Sequence, residues 1–270
     1  MTIRGVSTSL ILVILLFTRS EIDAFSRCKI ATVVPFEHQV SLRTQKTFLS
    51  LTQDETSCNL LHNRSALCNT FYALRHGRSL ANEAGIIAAS PDVACSMYGL
   101  SSEGFEQAKR AGGQLLSASE GQKVTLVSSD LLRAVETATT VQKSLQDAGC
   151  AVELTLDPRL RERGFGIWDG QSDSNYPRVW KNDEIDSSHT IDGVESVDSV
   201  TQRATSCVID LDKIYSGNHV FVLVAHGDVL QILQTAFLKR QGKFHRQVEH
   251  LETAQLRLLE LAPTTASTLS

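Results

Sequence analysis

Two histidines that lie far apart in the chain each stand between an apolar run and a glycine. His76 precedes Gly77, and His226 precedes Gly227. Each segment reads as a strand that ends at the histidine, and in open α/β sheets the ends of strands border the crevice in which ligands bind. The matched pair predicts one phosphate-handling site, with phosphoryl transfer through a histidine as its chemistry.

The residues around these two histidines can supply what phosphoryl transfer needs: a nucleophile, cations around the transferring oxygens and an acid for the leaving group. A neutral imidazole is a competent nucleophile, and His76 beside Arg75 suits this role. A guanidinium such as that of Arg75 can bind two phosphate oxygens at once. Arg133 is expected on the first turn of a helix, where the N-terminus itself attracts anions. His226 and Asn82 add further donors.

The elements that must position these residues alternate along the chain. Strands are predicted at residues 70–74, 124–127, 152–156 and 220–224, with an edge strand at 254–261, and helices after Ser101 and at 131–146, 196–215 and 229–238. Residues 157–193 show no clear period and are predicted to be an ordered insertion near the site. Alternating strands and helices predict an α/β fold, a three-layer α/β/α sandwich with a mainly parallel central sheet.

Together these motifs resemble the histidine phosphatase superfamily, and more narrowly its phosphoglycerate mutase-like branch (branch 1). The resemblance covers residues 70–262. It rests on Arg75-His76-Gly77 with Asn82 downstream, on residues 100–108 and 128–138, and on Ala225-His226-Gly227, in the order found in the family. It implies a phosphoglycerate mutase-like fold and a covalent phosphohistidine on His76.

The resemblance also assigns roles to the other residues. It implies that Arg75, Arg133 and His226 bind the phosphoryl group, and that Asn82, Ser79 and Gly227 lie at the substrate. It implies no cofactor and no metal. Structural alternatives stay open for three of these residues: His76 as a turn histidine, His226 as a strand-end histidine, and Arg133 as a solvated residue paired with Glu136 or Asp130.

The general acid is predicted from a family loop of the form L-x-E-x-x-x-G, which residues 160–166 match with Glu162 as the donor. The arginines beside it are Arg159, Arg161 and Arg163. An alternative is that Glu162 only balances these arginines, which would also hold it ionised unless burial dominates. Asp228 and Glu195 are the alternative acids.

Two positions favour hydrolysis over mutase activity. Mutases of the family usually carry an aromatic residue before the asparagine, where this chain has Ala81, and a tyrosine in the acid loop, where it has Phe165. The sequence therefore predicts a phosphatase acting on a small phosphate monoester, with a phosphoglycerate mutase-type transfer as the alternative. A non-catalytic module that binds a phosphorylated ligand is a third hypothesis.

The substrate stays open at this stage: a sugar phosphate, phosphoglycerate, an amino-acid phosphate or a phosphorylated protein. Five basic residues are candidates for meeting a second anionic group of the substrate, unless they are only solvated surface. They are Arg78, Arg161, Arg163, Arg178 and Lys181.

Composition limits the partners and the number of domains. The chain has 270 residues, of which 42% are hydrophobic, and a net charge of -4. The sequence has no basic stripe of the kind that binds nucleic acid. The six cysteines form no CxxC pair, so a zinc site or a redox motif is not expected. One domain is predicted over residues 69–262, followed by a C-terminal tail, residues 263–270.

The N-terminal region is predicted to be mostly a targeting sequence. Arg4 precedes a short apolar run at residues 10–17, which is typical of a signal peptide over residues 1–24. Residues 25–68 read as a transit-peptide-like or disordered segment. Together they resemble the bipartite presequences of algae with secondary plastids, which implies plastid import through the secretory route and no membrane association of the mature form. The alternative is secretion or retention in the endomembrane lumen, with Asn63 as a glycosylation acceptor.

Overall fold

Five strands of the described residues form one sheet in the order β3-β2-β4-β1-β5. The computed structural model describes residues 58–119, 121–215 and 217–263. The strands are β1 (Thr70–Arg75), β2 (Lys123–Ser128), β3 (Val152–Leu156), β4 (His219–Ala225) and β5 (Leu256–Leu259). β1 to β4 are parallel, and β5 pairs antiparallel with β1. The predicted mainly parallel sheet and its edge strand are confirmed.

Helices cover both faces of this sheet. They are α1 (Leu80–Ala84), α2 (Pro91–Ala94), α3 (Ser102–Ala118), α4 (Leu132–Asp147), α5 (Tyr176–Ile185), α6 (Val197–Ile214) and α7 (Gly227–Phe237). α6 and α7 pack on one face, where Phe71 and Phe221 contribute to the core. α3 and α4 pack on the other, against Leu126 and Val222. Because strand side chains alternate between faces, β1, β2, β4 and β5 each contribute to both cores. The predicted three-layer sandwich is confirmed.

β4 lies at the centre of the sheet and explains why the two histidines meet. All seven of its residues are buried, as expected for a parallel strand covered on both faces. β1 pairs with it in a register that sets Arg75 opposite Ala225. The next amide along, that of His76, donates to the carbonyl of Ala225 at 2.9 Å. Both histidines therefore leave the sheet at the same edge.

The predicted insertion is ordered, and it contains a helix that the sequence does not predict. Short 3-10 turns lie at Pro158–Leu160, Gly166–Trp168, Asp173–Asn175 and Ile191–Gly193, and α5 lies between the last two. Only Val179 and Asp183 of α5 are buried. With a single buried apolar residue the helix has no amphipathic stripe, so its period could not be read from the sequence.

The packed domain begins before residue 69, the start expected from the sequence. Leu61 is fully buried among residues of α6 and α7, and the Asn59 side chain donates to the carbonyl of Ala236 at 2.9 Å. One carboxylate oxygen of Asp212 accepts the backbone N–H groups of Cys68 and Asn69 at 2.9 and 3.0 Å. These contacts attach residues 58–69 to the helical layer.

The predicted signal peptide, residues 25–57 of the predicted transit segment and residues 264–270 of the predicted tail lie outside the described residues. Within the described residues, no helix combines the length and apolarity needed to cross a bilayer.

Candidate active site

A cavity of about 220 Å³ opens where β1 and β4 end. His76 and Arg75 from the end of β1, Arg133 from α4 and Gly227 from α7 line it, together with Glu162 from the insertion. Residues separated by up to 152 positions thus converge because parallel strands and the helices that follow them share one edge of the sheet.

His76 is held with one ring nitrogen facing the cationic side of the cavity. Its Nδ1–H donates to the carbonyl of Gly77 at 2.7 Å, so Nε2 is left with its lone pair. Nε2 accepts a hydrogen bond from Nε of Arg133 at 3.2 Å. Burial, then the charges of Arg133 and Arg75, hold the pKa of His76 well below its usual range. The ring is therefore neutral at physiological pH, as a nucleophile must be.

Arg133 and Arg75 supply the cations beside Nε2. Arg133 lies on the first turn of α4 and is only 4% exposed. Its NH1 group has no hydrogen-bond partner, and neither has Nε of Arg75. Arg75 is held in place by its terminal nitrogen NH1, which donates to Nε2 of His250 at 2.8 Å and to the carbonyl of Leu251 at 2.9 Å. Two buried guanidiniums with unused donors form a site for an oxyanion.

His226 lies behind His76 rather than on the cavity wall. The centroids of the two rings are 5.2 Å apart, and Nε2 of His226 is 2.9 Å from the hydroxyl of Ser129. Its Nδ1 is buried without a partner. Burial, then the charge of Arg133, holds the pKa of His226 well below its usual range.

Unused polar atoms are concentrated at this site. Within residues 58–119, 121–215 and 217–263, six buried side-chain atoms lack a hydrogen-bond partner. Three of them belong to Arg75, Arg133 and His250, which line the cavity, and a fourth belongs to His226 next to His76. Such atoms are rare because each one costs free energy, and a cluster of them indicates a place where a polar ligand completes the bonding.

Glu162 lines the cavity, and the arginines beside it in the sequence bind other partners. Its Oε1 accepts the backbone N–H of Arg163 at 2.9 Å. The three arginines each pair with an aspartate instead: Arg159 with Asp157, Arg161 with Asp130, and Arg163 with Asp183. Burial, then the charge of Asp228, raises the pKa of Glu162, and Arg133 and Arg75 offset this only in part. Burial, the condition under which the neighbouring arginines would not hold Glu162 ionised, thus outweighs the positive charges around it.

The alternative acids are already engaged. Asp228 lines the cavity but accepts from Nε1 of Trp180 at 3.0 Å and from Arg163 at 3.2 Å. Glu195 is bound by Arg203 at 2.8 Å. Burial alone would raise the pKa of Glu195, but the hydrogen bonds and charge of Arg203 bring it below its usual value. Of these three carboxyl groups, Glu162 is the one that forms no ion pair with the described residues.

The remaining predicted substrate residues also lie at the cavity. Ser79 caps α1, where its hydroxyl accepts the amide N–H of Asn82 at 3.2 Å. Oδ1 of Asn82 accepts the N–H of Ser79 at 3.1 Å, which leaves the side-chain NH₂ group for a ligand. Gly227 begins α7, and a β-carbon there would stand 3.3 Å from His250 and 3.7 Å from Nε of Arg75. Glycine therefore keeps the helix terminus open towards the arginine.

Arg133 does not pair with Glu136 or Asp130, the surface partners considered above. Glu136 instead accepts the amide N–H of Leu100, and Asp130 binds Arg161.

Several site residues are missed by the sequence reasoning. Thr137 lies one helical turn after Arg133; its hydroxyl donates to the Arg133 carbonyl at 2.7 Å and accepts the N–H of Gly77 at 3.0 Å. This spacing of four was visible in the sequence. The other missed residues are Ser129, Tyr176, Trp180, Arg246 and His250, which lie in loops or in segments without a periodic pattern.

The described residues contain no group of three or more His, Cys, Asp or Glu side chains that could hold a metal ion.

Comparisons with known proteins agree with this geometry. A family model described as "Histidine phosphatase superfamily (branch 1)" matches residues 71–269. A bifunctional protein of Mycobacterium tuberculosis is 30% identical over 178 residues, which cover 63% of this chain and 46% of that protein. The chain thus spans less than half the length of that relative.

A glucosyl-3-phosphoglycerate phosphatase of Mycobacterium tuberculosis is 32% identical over 180 residues, which cover 62% of this chain and 74% of that protein. Among solved structures, a mycobacterial glucosyl-3-phosphoglycerate phosphatase in complex with VO3 is similar, with a TM-score of 0.58 and 27% identity. That match covers 72% of this chain and 90% of the other.

Proposed function

Because the chain belongs to branch 1 of the histidine phosphatase superfamily, we propose that it is a phosphatase that hydrolyses a small phosphate monoester through a phosphohistidine on His76. The observation that carries this proposal is a pair of unused donors, Nε of Arg75 and NH1 of Arg133, near the unprotonated Nε2 of His76. They supply positive charge and hydrogen bonds where the oxygens of a transferring phosphoryl group would lie.

In the first step Nε2 of His76 attacks phosphorus, and the bond from phosphorus to the ester oxygen breaks. Glu162 gives its proton to that oxygen, and the alcohol leaves. Arg75 and Arg133 hold the phosphoryl oxygens throughout, so the mechanism needs no metal. Because the Nδ1–H of His76 donates to Gly77, that backbone carbonyl stabilises the positive charge that the ring gains on attack.

In the second step the Glu162 carboxylate takes a proton from a water molecule, whose oxygen attacks phosphorus. The bond from nitrogen to phosphorus breaks, and inorganic phosphate and neutral His76 are restored. Glu162 thus acts first as acid and then as base, which requires a pKa near the working pH. The raised pKa of Glu162 supports this assignment.

Two features favour hydrolysis over transfer to a second substrate. Ala81 lines the cavity, so no aromatic ring shields that side from water. Phe165 stands where mutases of the family carry a tyrosine. It is buried and packs edge-to-face with Tyr176, with 5.0 Å between the ring centroids. A mutase must exclude water from the phosphohistidine, whereas a phosphatase must admit it. Mutase-type transfer is the second candidate, and a non-catalytic binding module is disfavoured by the complete nucleophile and acid.

The size of the cavity limits the substrate. About 220 Å³ suits a small phosphorylated metabolite better than a folded phosphoprotein. The similar proteins named as glucosyl-3-phosphoglycerate phosphatases support a metabolite ester, and we propose no nucleic-acid partner.

The test is a panel of phosphate esters with the purified protein, run with and without 3-phosphoglycerate as acceptor. We expect release of inorganic phosphate, and an acid-labile phosphoenzyme in rapidly quenched samples. The His76→Ala variant should lose both, and His62→Ala, which changes an exposed histidine, should keep both. Product phosphorylated on the acceptor would favour the mutase, and absence of turnover and phosphoenzyme with every ester would contradict catalysis.

We also propose that residues 1–68 contain a signal peptide and a transit segment for plastid import through the secretory route. The apolar run at residues 10–17 and the Ser-, Thr-, Arg- and Lys-rich stretch after it support this proposal. A fluorescent protein fused behind these residues should enter plastids of an alga with secondary plastids. Accumulation in the secretory lumen or in the medium would favour the alternative.

A further inference from the structure

Part of the cavity wall is built by three stacked side chains. The rings of Tyr176 and Trp180 are parallel within 6°, with centroids 5.3 Å apart. The guanidinium of Arg246 lies 3.5 Å from the centroid of the Trp180 ring. All three residues line the cavity. Stacking on an aromatic ring holds a guanidinium in a fixed plane and leaves its edges free to bind a ligand.

One edge of the Arg246 guanidinium is occupied and the other is free. NH1 donates to the carboxylate of Asp228 at 3.5 Å and also to the side-chain oxygen of Gln231. Nε and NH2 make no hydrogen bond to the described residues, and 23% of the side chain is exposed. These two nitrogens present parallel N–H groups, the arrangement that binds both oxygens of one carboxylate.

A second unpartnered donor lines the same cavity, on His250. His250 accepts from Arg75 through Nε2, so its hydrogen is on Nδ1, and Nδ1 is buried without a partner. Burial, then the charges of Arg75 and Arg246, lowers the pKa of His250. The ring therefore acts as a neutral donor between the two arginines.

The charges around Arg246 limit what this edge can bind. Asp228 contacts both Arg246 and Arg163, and Arg163 also pairs with Asp183 at 2.7 Å. The charges of these two arginines and two aspartates cancel, so this cluster has no surplus positive charge for a dianion. A single negative charge held by two hydrogen bonds fits this edge better than a second phosphate group does.

We propose that Arg246, with His250 beside it, forms a subsite for a carboxylate on the leaving group of the substrate. The inference rests on the proposed phosphatase function and narrows its substrate class to phosphate esters of hydroxy acids. The five basic residues considered from the sequence do not line this cavity. Arg246 was not among them, because no local pattern connects residue 246 with the insertion that it contacts.

The kinetic test compares esters that differ in the carboxylate. The pairs are 3-phosphoglycerate with glycerol 3-phosphate, and O-phosphoserine with O-phosphoethanolamine. We expect the native protein to prefer the carboxylate-bearing ester of each pair by about 10- to 100-fold in kcat/KM, the range for a charge-assisted hydrogen-bond pair. Arg246→Gln should reduce this preference to less than about 3-fold, measured as the ratio of kcat/KM between the two members of each pair. Arg246→Lys, which keeps the charge without the planar edge, should be intermediate.

The matched control is Arg178→Gln. Arg178 is also an exposed arginine that stacks on a tryptophan, Trp168, at 5.5 Å, and it lies outside the cavity lining. This variant should keep the native preference. An equal loss on both members of each pair in Arg246→Gln, or no preference in the native protein, would overturn the subsite.

Binding separates this inference from the proposed function. In the His76→Ala background, calorimetry is expected to show tighter binding of 3-phosphoglycerate than of glycerol 3-phosphate, and Arg246→Gln should abolish the difference. If no ester is hydrolysed but this difference is found, the phosphatase proposal fails and the subsite stands. Equal affinities in the His76→Ala background would overturn the subsite whatever the turnover.

Discussion

At the scale of single residues, the behaviour of Glu162 is decided by the partners of its neighbours. Three arginines lie within three positions of it in the sequence, yet they form ion pairs with Asp157, Asp130 and Asp183. The main remaining influence on Glu162 is its removal from water, which raises its pKa. A basic sequence context thus surrounds a carboxyl group that favours its protonated form.

The pH dependence of catalysis tests this assignment. The pKa of Glu162 is raised, so the acid stays protonated at pH values where an ordinary glutamate has ionised. The pKa of His76 is lowered, so the nucleophile is neutral over the same range. We expect high activity at acidic to neutral pH and a fall in kcat as the pH rises through the raised pKa of Glu162.

Glu162→Gln should lower kcat by about 10²- to 10⁴-fold, the usual contribution of a general acid, and should remove this alkaline fall. Glu184→Gln, at an exposed position on α5, is the control and should keep the native profile. The assignment is wrong if Glu162→Gln retains the alkaline limb, and Asp228 would then be the acid to change.

The sequence could predict that His76, Arg75, Arg133 and His226 come together, because each stands at a strand end or on a first helical turn. The environment of Glu162 could not be predicted in this way. It depends on pairs such as Arg163 with Asp183 and Asp228, 20 and 65 positions apart, which no local pattern encodes. For the same reason Arg246 and His250 were missed.

At the scale of elements, the loop after β1 and the start of α3 approach each other without space for a side chain. A β-carbon on Gly77 would stand 2.5 Å from the carbonyl oxygen of Gly104, and one on Gly104 would collide with the carbonyl oxygen of Arg78. The same loop is held by Ser101, whose hydroxyl donates to the Arg78 carbonyl at 3.1 Å. α3 therefore determines the path of the chain directly after His76.

Gly104→Ala should displace this loop. We expect a loss of about 1–3 kcal/mol in the free energy of unfolding, as for overpacking, together with a lower kcat because His76 moves. Gly113→Ala in the same helix is the control, since a β-carbon there meets nothing within 4 Å, and it should stabilise by about 0.5–1 kcal/mol. Urea unfolding and ester hydrolysis measure the two effects, and equal stability of the two variants would contradict the close approach.

The order of elements was largely predictable because apolar strands and amphipathic helices alternate along the chain. The short helices α1 and α2 and the polar helix α5 were not predicted. α5 is held by what it contacts rather than by its own period: Asp183 binds Arg163, and His189 donates to the same carboxylate at 2.7 Å. Tertiary contacts, not propensity, explain this helix.

At the scale of the whole molecule, the segment before β1 is part of the packed domain. Residues 58–69 contact α6 and α7 through Leu61, Asn59 and the Asp212 carboxylate. Removal of residues up to 68 on import would expose this apolar surface. We therefore place any cleavage that completes the proposed import before Cys58.

Two adjacent leucines test this attachment. Leu61→Ala should lower the free energy of unfolding by about 2–5 kcal/mol, since it leaves a cavity in a core where Leu61 is 0% exposed. Leu60→Ala, where the side chain is 43% exposed, should change it by less than about 0.5 kcal/mol. Neither should alter KM for a phosphate ester, because both lie outside the cavity lining. Similar unfolding free energies for the two variants would show that the segment is not packed.

The unpaired donors of Arg75 and Arg133 have a consequence for how turnover is regulated. In the proposed mechanism they bind only the phosphoryl oxygens, which the ester and inorganic phosphate share, so they would not distinguish substrate from product. We therefore expect inorganic phosphate to inhibit competitively, which steady-state kinetics with added phosphate would measure. Discrimination against the product must come from the leaving-group side, so the contacts of Arg246 would set the concentration at which phosphate inhibits the enzyme.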